Sequence, residues 1–564
     1  MQAVRFAIPG VTYHSAGQVD THRASGAWVW STFGELLRDA AKASGDRDYI
    51  VAEDGTLTFA DLDRRSESVA AALLQMGLQP GDRAIFQVGT VTELVVALFG
   101  CFKAGIVPVC TLPQYREIEI GQLTRLSGAR AYFVQADFSA SFDLAGFARR
   151  MMGEHKSLRH LIVLRGLPEP GEHSLDEMAK RYPFDEARAI TRVADPAPGD
   201  VAMFQLSGGS TGVPKIIPRM HAEYLGSSAS WNARHQLTMA DTSLWALPLI
   251  HNAGMIAMLA PSLLRHSTLV IRARFEVRDF LSTIARYRVS YTGSIGPIAP
   301  SIIDLPATES FDVSSVRLAF TLARADGLEQ RTGIAAQVMY GITEGMLMAC
   351  APDAGREARH RSIGWPTGIG DEVRLLAPGT ERDVPIGTVG EFCFRGPHTL
   401  CAYYNAPEIT AESFTSDGFF RTGDLVRGRE IDGRIHYVFE GRLKDNINRG
   451  GEKFGAEEVE SFIVAHPAIN DARVVAMPDP FMGERACAFL ILKSGYDCPT
   501  VATLGAFLHS KGLAKFKLPE RIEIVAEFPV TRVGKVDKQA LRRLIAERLE
   551  NEQVRRDAPR PASA

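Results

Sequence analysis

The sequence has few cysteines and little net charge, and it contains no internal repeat or extended low-complexity segment. Its seven cysteines are scattered through 564 residues, and none has C-x-x-C spacing. This argues against a disulfide framework or a cysteine metal site and indicates reduced thiols in a cytoplasm. With 63 basic against 66 acidic residues and a net charge of -3, no long-range field attracts nucleic acid or acidic lipid.

A signal peptide and a clear membrane span are also missing. A proline and a glycine interrupt the N-terminus within its first ten residues, so no apolar signal sequence forms there. The stretch 244–264 is uncharged and nearly long enough to span a bilayer. Its polar centre, His251 and Asn252, and its prolines, Pro248 and Pro261, favour a buried turn and a helix that lines a pocket. We therefore expect a cytoplasmic protein with no nucleic-acid or membrane partner.

Length and composition indicate a globular protein with more than one domain. The chain is 46% hydrophobic and 23% charged, as in ordinary soluble proteins, and it exceeds the span of one hydrophobic core. A charged, glycine-bearing stretch begins near residue 441 and predicts a linker or hinge. We expect a large domain over 1–440, a small α+β domain over 441–550 and a disordered tail over 551–564.

The region 32–135 alternates helix-like and strand-like segments, which is typical of an open α/β sheet. Apolar residues recur at helical spacing over 59–76, and a short apolar strand follows at 84–88. A second helix at 92–104 and a second strand at 106–109 repeat the unit. Near-continuous apolar strands between amphipathic helices predict a mostly parallel sheet that is buried on both faces.

The segment 207–215 has the composition of a phosphate-binding loop. Its glycines allow close backbone approach, while its hydroxyls and lysine can donate hydrogen bonds to phosphate oxygens. It does not match the G-x-x-x-x-G-K-[ST] pattern, because the lysine stands three residues after the last glycine. A flexible surface turn would explain the glycines and serines but not the Thr-Gly-x-Pro-Lys ending. The candidate phosphate-binding residues are Ser207, Gly208, Gly209, Ser210, Thr211, Gly212 and Lys215.

Four further motifs follow this loop in order. They read Tyr-Gly-Ile-Thr-Glu at 340–344, Arg-Thr-Gly-Asp at 421–424, Gly-Arg-Leu-Lys-Asp at 441–445 and Pro-Val-Thr-Arg-Val-Gly-Lys at 529–535. Together the five motifs resemble those of the adenylate-forming superfamily of acyl-CoA synthetases, peptide-synthetase adenylation domains and luciferases. Five ordered motifs are far more specific than any single one. The resemblance implies a large α/β adenylation domain, with sheets flanked by helices, and a small, mobile α+β C-terminal domain.

The resemblance also implies that ATP and Mg2+ are the cofactors. In the superfamily the glycine-rich loop holds the ATP phosphates, and Thr343 and Glu344 would approach the phosphates and Mg2+, for which a carboxylate is a suitable ligand. Tyr340 resembles the aromatic residue that packs on adenine. Asp424, assisted by Arg442, matches the carboxylate that binds the ribose hydroxyls, although alone it would be interpreted as a turn aspartate.

Lys535, at the end of the last motif, is the residue most readily interpreted as catalytic. Attack of a carboxylate on the α-phosphate brings two anions together, so a cation that touches both lowers the barrier. A lysine in a turn near the C-terminus would ordinarily be a solvated charge. The match to the superfamily's catalytic-lysine motif favours the catalytic interpretation, together with Thr343 and Glu344.

The resemblance further implies a second half-reaction with a thiol. In the superfamily the small domain rotates about a hinge, here Lys444, and presents a face that contains Gly450, Gly451 and Lys453. The acceptor would be coenzyme A or the phosphopantetheine arm of a carrier protein. No carrier domain follows in this chain, so we expect any aryl carrier protein to be a separate protein.

Within the superfamily, the sequence is most similar to free-standing aryl-acid ligases, which adenylate 2,3-dihydroxybenzoate or salicylate in siderophore synthesis. The similarity lies in the two glycines after Ser207, in Ile-Pro-Arg at 217–219, in His251 with Asn252, and in the segment 446–453. It implies that His251 and Asn252 belong to the acyl pocket and that the Asn252 amide contacts an ortho-hydroxyl. A buried amide of this kind discriminates against analogues without the hydroxyl. A satisfied core histidine is the alternative interpretation of His251.

Three departures from the subgroup affect the expected substrate. Ala-Gly-Met-Ile-Ala at 253–257 stands where Tyr-Pro-Leu-Ser is common, Leu322 with Ala323 replaces a Gly-Gly pair, and Leu347 is larger than usual. We therefore expect Ala257, Leu322 and Leu347 to form a more apolar pocket wall. This favours salicylate or another ortho-substituted aromatic acid over 2,3-dihydroxybenzoate. A general acyl-CoA ligase, an inactive nucleotide-binding homologue and a luciferase-like oxidative enzyme are the alternatives.

Overall fold

The computed structural model describes residues 3–207, 214–296, 298–449, 452–479, 482–511, 513, 515–530 and 535–557. The chain divides into two compact units. The first comprises Met1–Val373, Phe394–Phe420 and Ile431–His436, and the second comprises Arg374–Cys393, Arg421–Glu430 and Tyr437–Ala564. This division differs from a single boundary at 440, because 374–393 and 421–430 group with the C-terminal part. Strands pair by hydrogen bonding and not by chain order, so a compact unit can take in segments from distant parts of the sequence.

The described residues contain the following β-strands. In chain order they are β1 Asp48–Ala52, β2 Gly55–Thr58, β3 Arg83–Gln87, β4 Val107–Val109, β5 Ala131–Gln135, β6 His160–Leu164, β7 His173–Ser174, β8 Val201–Ser207, β9 Lys215–Met220, β10 Thr242–Trp245, β11 Thr268–Ile271, β12 Tyr291–Ser294, β13 Leu318–Thr321, β14 Ala336–Gly341, β15 Leu347–Ala349, β16 Trp365–Pro366, β17 Glu372–Leu376, β18 Val389–Arg395, β19 Phe420–Ile431, β20 Arg434–Arg442, β21 Asn446–Arg449, β22 Glu452–Gly455, β23 Ile469–Asp479, β24 Gly483–Leu492 and β25 Arg521–Ile524.

The helices alternate with these strands through most of the chain. They are α1 Ala16–Ala24, α2 Phe33–Ser44, α3 Phe59–Gln75, α4 Thr92–Ala104, α5 Glu117–Ser127, α6 Leu144–Glu154, α7 Leu175–Met178, α8 Phe184–Thr191, α9 His221–His235, α10 Asn252–Gly254, α11 Ala260–Arg265, α12 Val277–Tyr287, α13 Ile298–Ile303, α14 Ala325–Thr332, α15 Arg356–Arg361, α16 Pro407–Glu412, α17 Ala456–Ile463, α18 Val501–Ser510 and α19 Lys538–Asp557. A π-helical turn, Met255–Leu259, joins α10 to α11, and Leu443–Asp445 and Lys515–Lys517 are 3-10 turns.

Two large, mostly parallel sheets form the first unit. One has the order β7-β6-β5-β3-β4-β8-β9, and only its last pair is antiparallel. The other has the order β16-β15-β14-β13-β12-β10-β11-β1-β2, and its strands from β14 to β1 are parallel. The predicted α/β fold class is therefore confirmed. Parallel strands end at one sheet edge, so the residues that follow β12, β13 and β14 meet there.

The local predictions for the N-terminal region are confirmed to within one or two residues. The two predicted helices correspond to α3 and α4, and the two predicted strands correspond to β3 and β4. The helices pack closely, since a Cβ on Gly100 would lie 2.5 Å from the Val69 side chain. Their buried faces and the fully buried strands between them account for the apolar pattern that the sequence shows.

The uncharged stretch 244–264 forms the turn and helix that its polar centre predicts, although its first residues belong to β10 and pair with β11. Within the described residues, no helix is both long and apolar enough to cross a membrane.

The small sheet of the second unit has the order β22-β21-β24-β23, and β25 pairs with β24. Helices α17, α18 and α19 accompany these strands, so this part has the predicted α+β composition. Helix α19 continues to Asp557, and residues 551–557 are therefore helical where a disordered tail was expected. Leu541 and Ile545, one helical turn apart, are fully buried and anchor this helix.

Candidate active site

Three side chains from distant segments meet beside the β8–β9 hairpin. Ser207 ends β8 opposite Lys215, the first residue of β9. The Lys215 ammonium lies 4.6 Å from the centre of the Tyr403 ring, and the Tyr403 hydroxyl donates a hydrogen bond of 2.8 Å to Oε1 of Glu344. The lysine expected to bind phosphate and the carboxylate expected to bind the metal therefore both contact the same tyrosine. The other predicted loop residues lie outside the described residues: Gly208, Gly209, Ser210, Thr211 and Gly212.

The electrostatic environment of this cluster suits a bound cation together with an anion. Burial raises the pKa of Glu344, and this effect outweighs the hydrogen bond from Tyr403 and the charges of Lys215 and Arg219. Burial and the neighbouring carboxylate also raise the pKa of Tyr403, which keeps its hydroxyl a donor. A carboxylate with a raised pKa gains the most from an added cation, and a lysine gains from an added anion.

The loop that carries Thr343 and Glu344 is hydrogen-bonded to the segment 398–400. The Leu400 N–H donates a hydrogen bond of 2.8 Å to the Glu344 carbonyl. Gly345 has a φ of +129°, and a Cβ there would overlap the carbonyl oxygen of His398. The glycine that follows Glu344 is therefore required by both backbone conformation and space. Arg219 also donates to carbonyls of both segments, one of them that of Thr343.

Tyr340 lies on β14 just before this loop. Its side chain is 7% exposed, and its backbone pairs with Met348 of β15. The sheet therefore holds the predicted adenine-packing residue three positions from Thr343.

Asp424 and Arg442 belong to the second unit, where Arg442 Nε lies 3.3 Å from Oδ1 of Asp424.

The predicted acyl-pocket residues begin at α10. The Tyr224 hydroxyl lies 2.9 Å from Oδ1 of Asn252 and 3.2 Å from its carbonyl oxygen, and both residues are buried. The tyrosine therefore holds the Asn252 side chain in place. His251 is exposed and accepts a hydrogen bond from the Ala253 N–H as the N-cap of α10, so it is not a core histidine.

The remaining pocket predictions differ in their outcome. Ala257 lies in the π-helical turn and Leu347 on β15, and both are buried in the same apolar cluster. A π-turn is rare and frequently marks a functional site. Leu322 follows β13 and is 49% exposed, and it does not belong to that cluster. Ala257 and Leu347 therefore both belong to the large apolar core of the first unit, whereas Leu322 lies at the sheet edge.

The candidate residues of the second unit have a different setting. Asp424 is 5% exposed and lies within strand β19, which excludes the turn interpretation. Lys535 is exposed. Lys444 lies in a 3-10 turn directly after β20, and Lys453 lies on β22. Gly450 and Gly451 lie outside the described residues.

Sequence reasoning missed Tyr403 entirely and interpreted Arg219 only as a subgroup marker. Tyr403 and Glu344 are 59 residues apart, and no motif spacing connects them. The sequence could have indicated a role for Arg219, because an arginine in an apolar strand, four positions after Lys215, must find partners when it is buried.

Two family models match most of the chain. The model described as AMP-binding enzyme matches residues 37–404, and the model described as AMP-binding enzyme C-terminal domain matches residues 458–535. The first matched region contains Lys215, Tyr340, Glu344 and Tyr403.

Similar proteins match over almost their whole length. A 2,3-dihydroxybenzoate-AMP ligase of Bacillus subtilis is 36% identical over 94% of this chain and 96% of its own. A salicyl-AMP ligase / salicyl-S-ArCP synthetase of Mycobacterium tuberculosis is 33% identical over 95% of this chain and 94% of its own. The Mycobacterium smegmatis MbtA apo structure covers 95% of this chain and 98% of its own at 30% identity, with a TM-score of 0.68. The chain therefore belongs to the family of AMP-binding enzymes.

Proposed function

We propose that the protein activates a small aromatic acid with ATP, forms the acyl-adenylate and pyrophosphate, and then transfers the acyl group to a thiol with release of AMP. The observation that carries this proposal is the contact of Tyr403 with both Lys215 and Glu344. Beside the β8–β9 hairpin it brings together a cation that would bind phosphate and a carboxylate that would bind the metal. Relatives named for aryl-acid AMP ligases support the same reaction.

The donor set fits magnesium bound together with ATP. Among the described residues, no group of three or more His, Cys, Asp or Glu side chains could hold a metal. Mg2+ in nucleotide sites needs only one or two carboxylates, because the phosphates and water supply the other ligands. Glu344 would supply the carboxylate, and Lys215 would bind the phosphates. The metal would neutralise charge on the reacting phosphate.

The chemistry that this chain supplies is charge neutralisation and orientation. Lys535 neutralises the carboxylate of the acid and the α-phosphate as they approach, and this lowers the barrier to their reaction. Thr343 and Glu344 hold the phosphates, and Tyr340 packs on adenine. The Asp424 carboxylate accepts hydrogen bonds from the ribose hydroxyls, and Arg442 assists it.

The thiol step uses other residues of the second unit. In this proposal Lys444 is the pivot, and Gly450, Gly451 and Lys453 form the face that receives the thiol of coenzyme A or of an aryl carrier protein.

The acid is salicylate or another benzoate with an ortho substituent. Asn252 is buried, and Tyr224 holds its amide, so an ortho oxygen of the acid meets a fixed polar group. The apolar surroundings of Ala257 and Leu347 offer little to a second hydroxyl. Losing a hydrogen bond to a buried polar group costs about 1–3 kcal/mol, which predicts roughly a tenfold preference over benzoate.

ATP–pyrophosphate exchange with a panel of aryl and alkyl acids tests the proposal. We expect salicylate to be preferred to benzoate and to match or exceed 2,3-dihydroxybenzoate in kcat/KM. Failure of every acid to support exchange would refute the adenylation reaction. A higher kcat/KM for an alkyl acid or benzoate than for salicylate would instead indicate a general acyl-CoA ligase and would refute the proposed contact with an ortho substituent.

A further inference from the structure

Arg219 is a completely buried arginine close to the candidate phosphate site. It lies on β9, four positions after Lys215, and is 0% exposed. A buried guanidinium is costly unless it is paired and its N–H groups are satisfied. Its partners therefore indicate which segments of the chain Arg219 fixes in position.

The two terminal nitrogens contact one carboxylate and two backbone carbonyls, while Nε has no hydrogen-bond partner among the described residues. Glu223, in the first turn of α9, forms an ion pair with Arg219, and both side chains are at most 2% exposed. Nη1 donates to the Thr343 carbonyl at 3.0 Å, and Nη2 donates to the His398 carbonyl at 3.2 Å. Since a guanidinium can only donate and a carbonyl can only accept, the direction of these bonds is unambiguous.

The two carbonyls belong to the segments that enclose Glu344. Thr343 directly precedes it, while His398 lies two residues before Leu400, whose N–H binds the Glu344 carbonyl. The peptide groups on both sides of the Glu344 Cα are thus fixed, one by Arg219 and the other by Leu400. The rigid strand that carries Arg219 begins with Lys215.

We propose that Arg219 is a positioning residue that sets the distance between the Glu344 carboxylate and the Lys215 ammonium. It would thereby determine the affinity for a metal–triphosphate complex without touching that complex. The inference rests on the proposed function only in the roles of Glu344 and Lys215. The planar fork of a guanidinium can bind two carbonyls in fixed directions, whereas a lysine offers a single point of charge.

The first variant is Arg219→Lys, and Arg359→Lys is its matched control. Arg359 is also buried, and its Nη1 pairs with Glu329 at 2.7 Å and donates to the Ala336 carbonyl at 2.6 Å. Ala336 begins β14, at the opposite end of the strand from the Glu344 loop. The control therefore removes the same kind of bonds at the start of the strand that leads into the Glu344 loop, away from the site.

The measurements are ATP binding by calorimetry with magnesium and with EDTA, together with urea unfolding. We expect both variants to lose stability. Only Arg219→Lys should lose the gain in ATP affinity that magnesium provides, by roughly tenfold, while affinity in EDTA changes less than about twofold. In pyrophosphate exchange, KM for ATP should rise and KM for the acid should stay nearly constant.

Equal losses of the magnesium-dependent affinity in the two variants, or no loss in Arg219→Lys, would overturn the inference. If Arg219→Lys does not fold, Glu223→Gln against Glu329→Gln makes the same comparison, with a loss of about threefold expected for Glu223→Gln alone. If no acid supports exchange but Arg219→Lys still loses the magnesium-dependent gain in ATP affinity, the proposed reaction is refuted and the positioning role stands.

Discussion

The candidate residues of the first unit and the candidate lysine of the second differ most in how deeply they are buried. Asn252 is buried against Tyr224, and Glu344 accepts a hydrogen bond from Tyr403. Lys535, in contrast, is exposed. In the first unit, packing and hydrogen bonds determine where each functional group points. In the second unit, substituting the lysine should cost little stability, so its contribution to catalysis can be measured separately.

The largest expected effect separates activity from stability at Lys535. Lys535→Ala should reduce adenylation by ~10²–10³-fold, because a preorganised charge at the reacting phosphate is lost. The free energy of unfolding should change by less than about 0.5 kcal/mol, as for other exposed substitutions. Pyrophosphate exchange and urea unfolding measure the two quantities. Thiolysis of supplied acyl-adenylate should be nearly unchanged, and an equal loss in that step would contradict the role.

The next effect tests the buried side of the comparison. Glu344→Gln should reduce adenylation by about 100-fold, since the metal loses a charged ligand. Because burial raises the pKa of Glu344, the folded protein disfavours its ionised form, and the neutral amide should increase the free energy of unfolding at pH 7. Urea unfolding at pH 7 checks the sign. A destabilised variant would show that the carboxylate is needed for folding, and Glu329→Gln serves as a control that should lose stability.

A pH titration should show the free-energy cost of burying histidines in the first unit. Burial lowers the pKa values of His221 and His235 in the first unit to about 3. Their unfolded forms bind protons below pH 6.5, so stability falls as the pH drops, by about 2 kcal/mol for each histidine between pH 7 and 5. His398 acts in the opposite direction, since Asp371 raises its pKa against the effect of burial. Glu344, whose own pKa is raised by burial, also acts in the opposite direction.

Urea unfolding at pH 7 and pH 5 measures this loss. Glu67 and Glu329, whose pKa values are lowered to about 2, remain ionised in both states over most of this range and do not affect the slope. His235→Gln should flatten the pH dependence by about 2 kcal/mol. An unchanged slope in that variant would show that His235 does not carry it.

The smallest effect concerns the acid. Asn252→Ala should reduce the preference for salicylate over benzoate from roughly tenfold to near unity, since the polar contact is lost. Tyr224→Phe should reduce it partially, because the amide remains but is no longer held. Values of kcat/KM for the two acids in the three proteins measure this. A preference that survives in Asn252→Ala would place the ortho contact elsewhere.

Much of the fold and part of the site could be predicted from local sequence. Apolar periodicity predicted α3, α4 and the strands between them, because each pattern reports on a single element and the core that it faces. Ser207, Lys215, Tyr340 and Glu344 were predicted as candidate site residues through motifs, which are contiguous. The division at 374–393 and 421–430 and the length of α19 were not, since both depend on which elements pair or pack.

The sequence by itself determined the family, the order of the motifs and the α/β class. Only the tertiary structure decided which residues hold the functional groups: Tyr403 on Glu344, Tyr224 on Asn252, and Arg219 on the Thr343 carbonyl. The last of these bonds spans 124 positions of the chain. The physical reason is that strand order and crossovers set such distances, and no spacing along the chain encodes them.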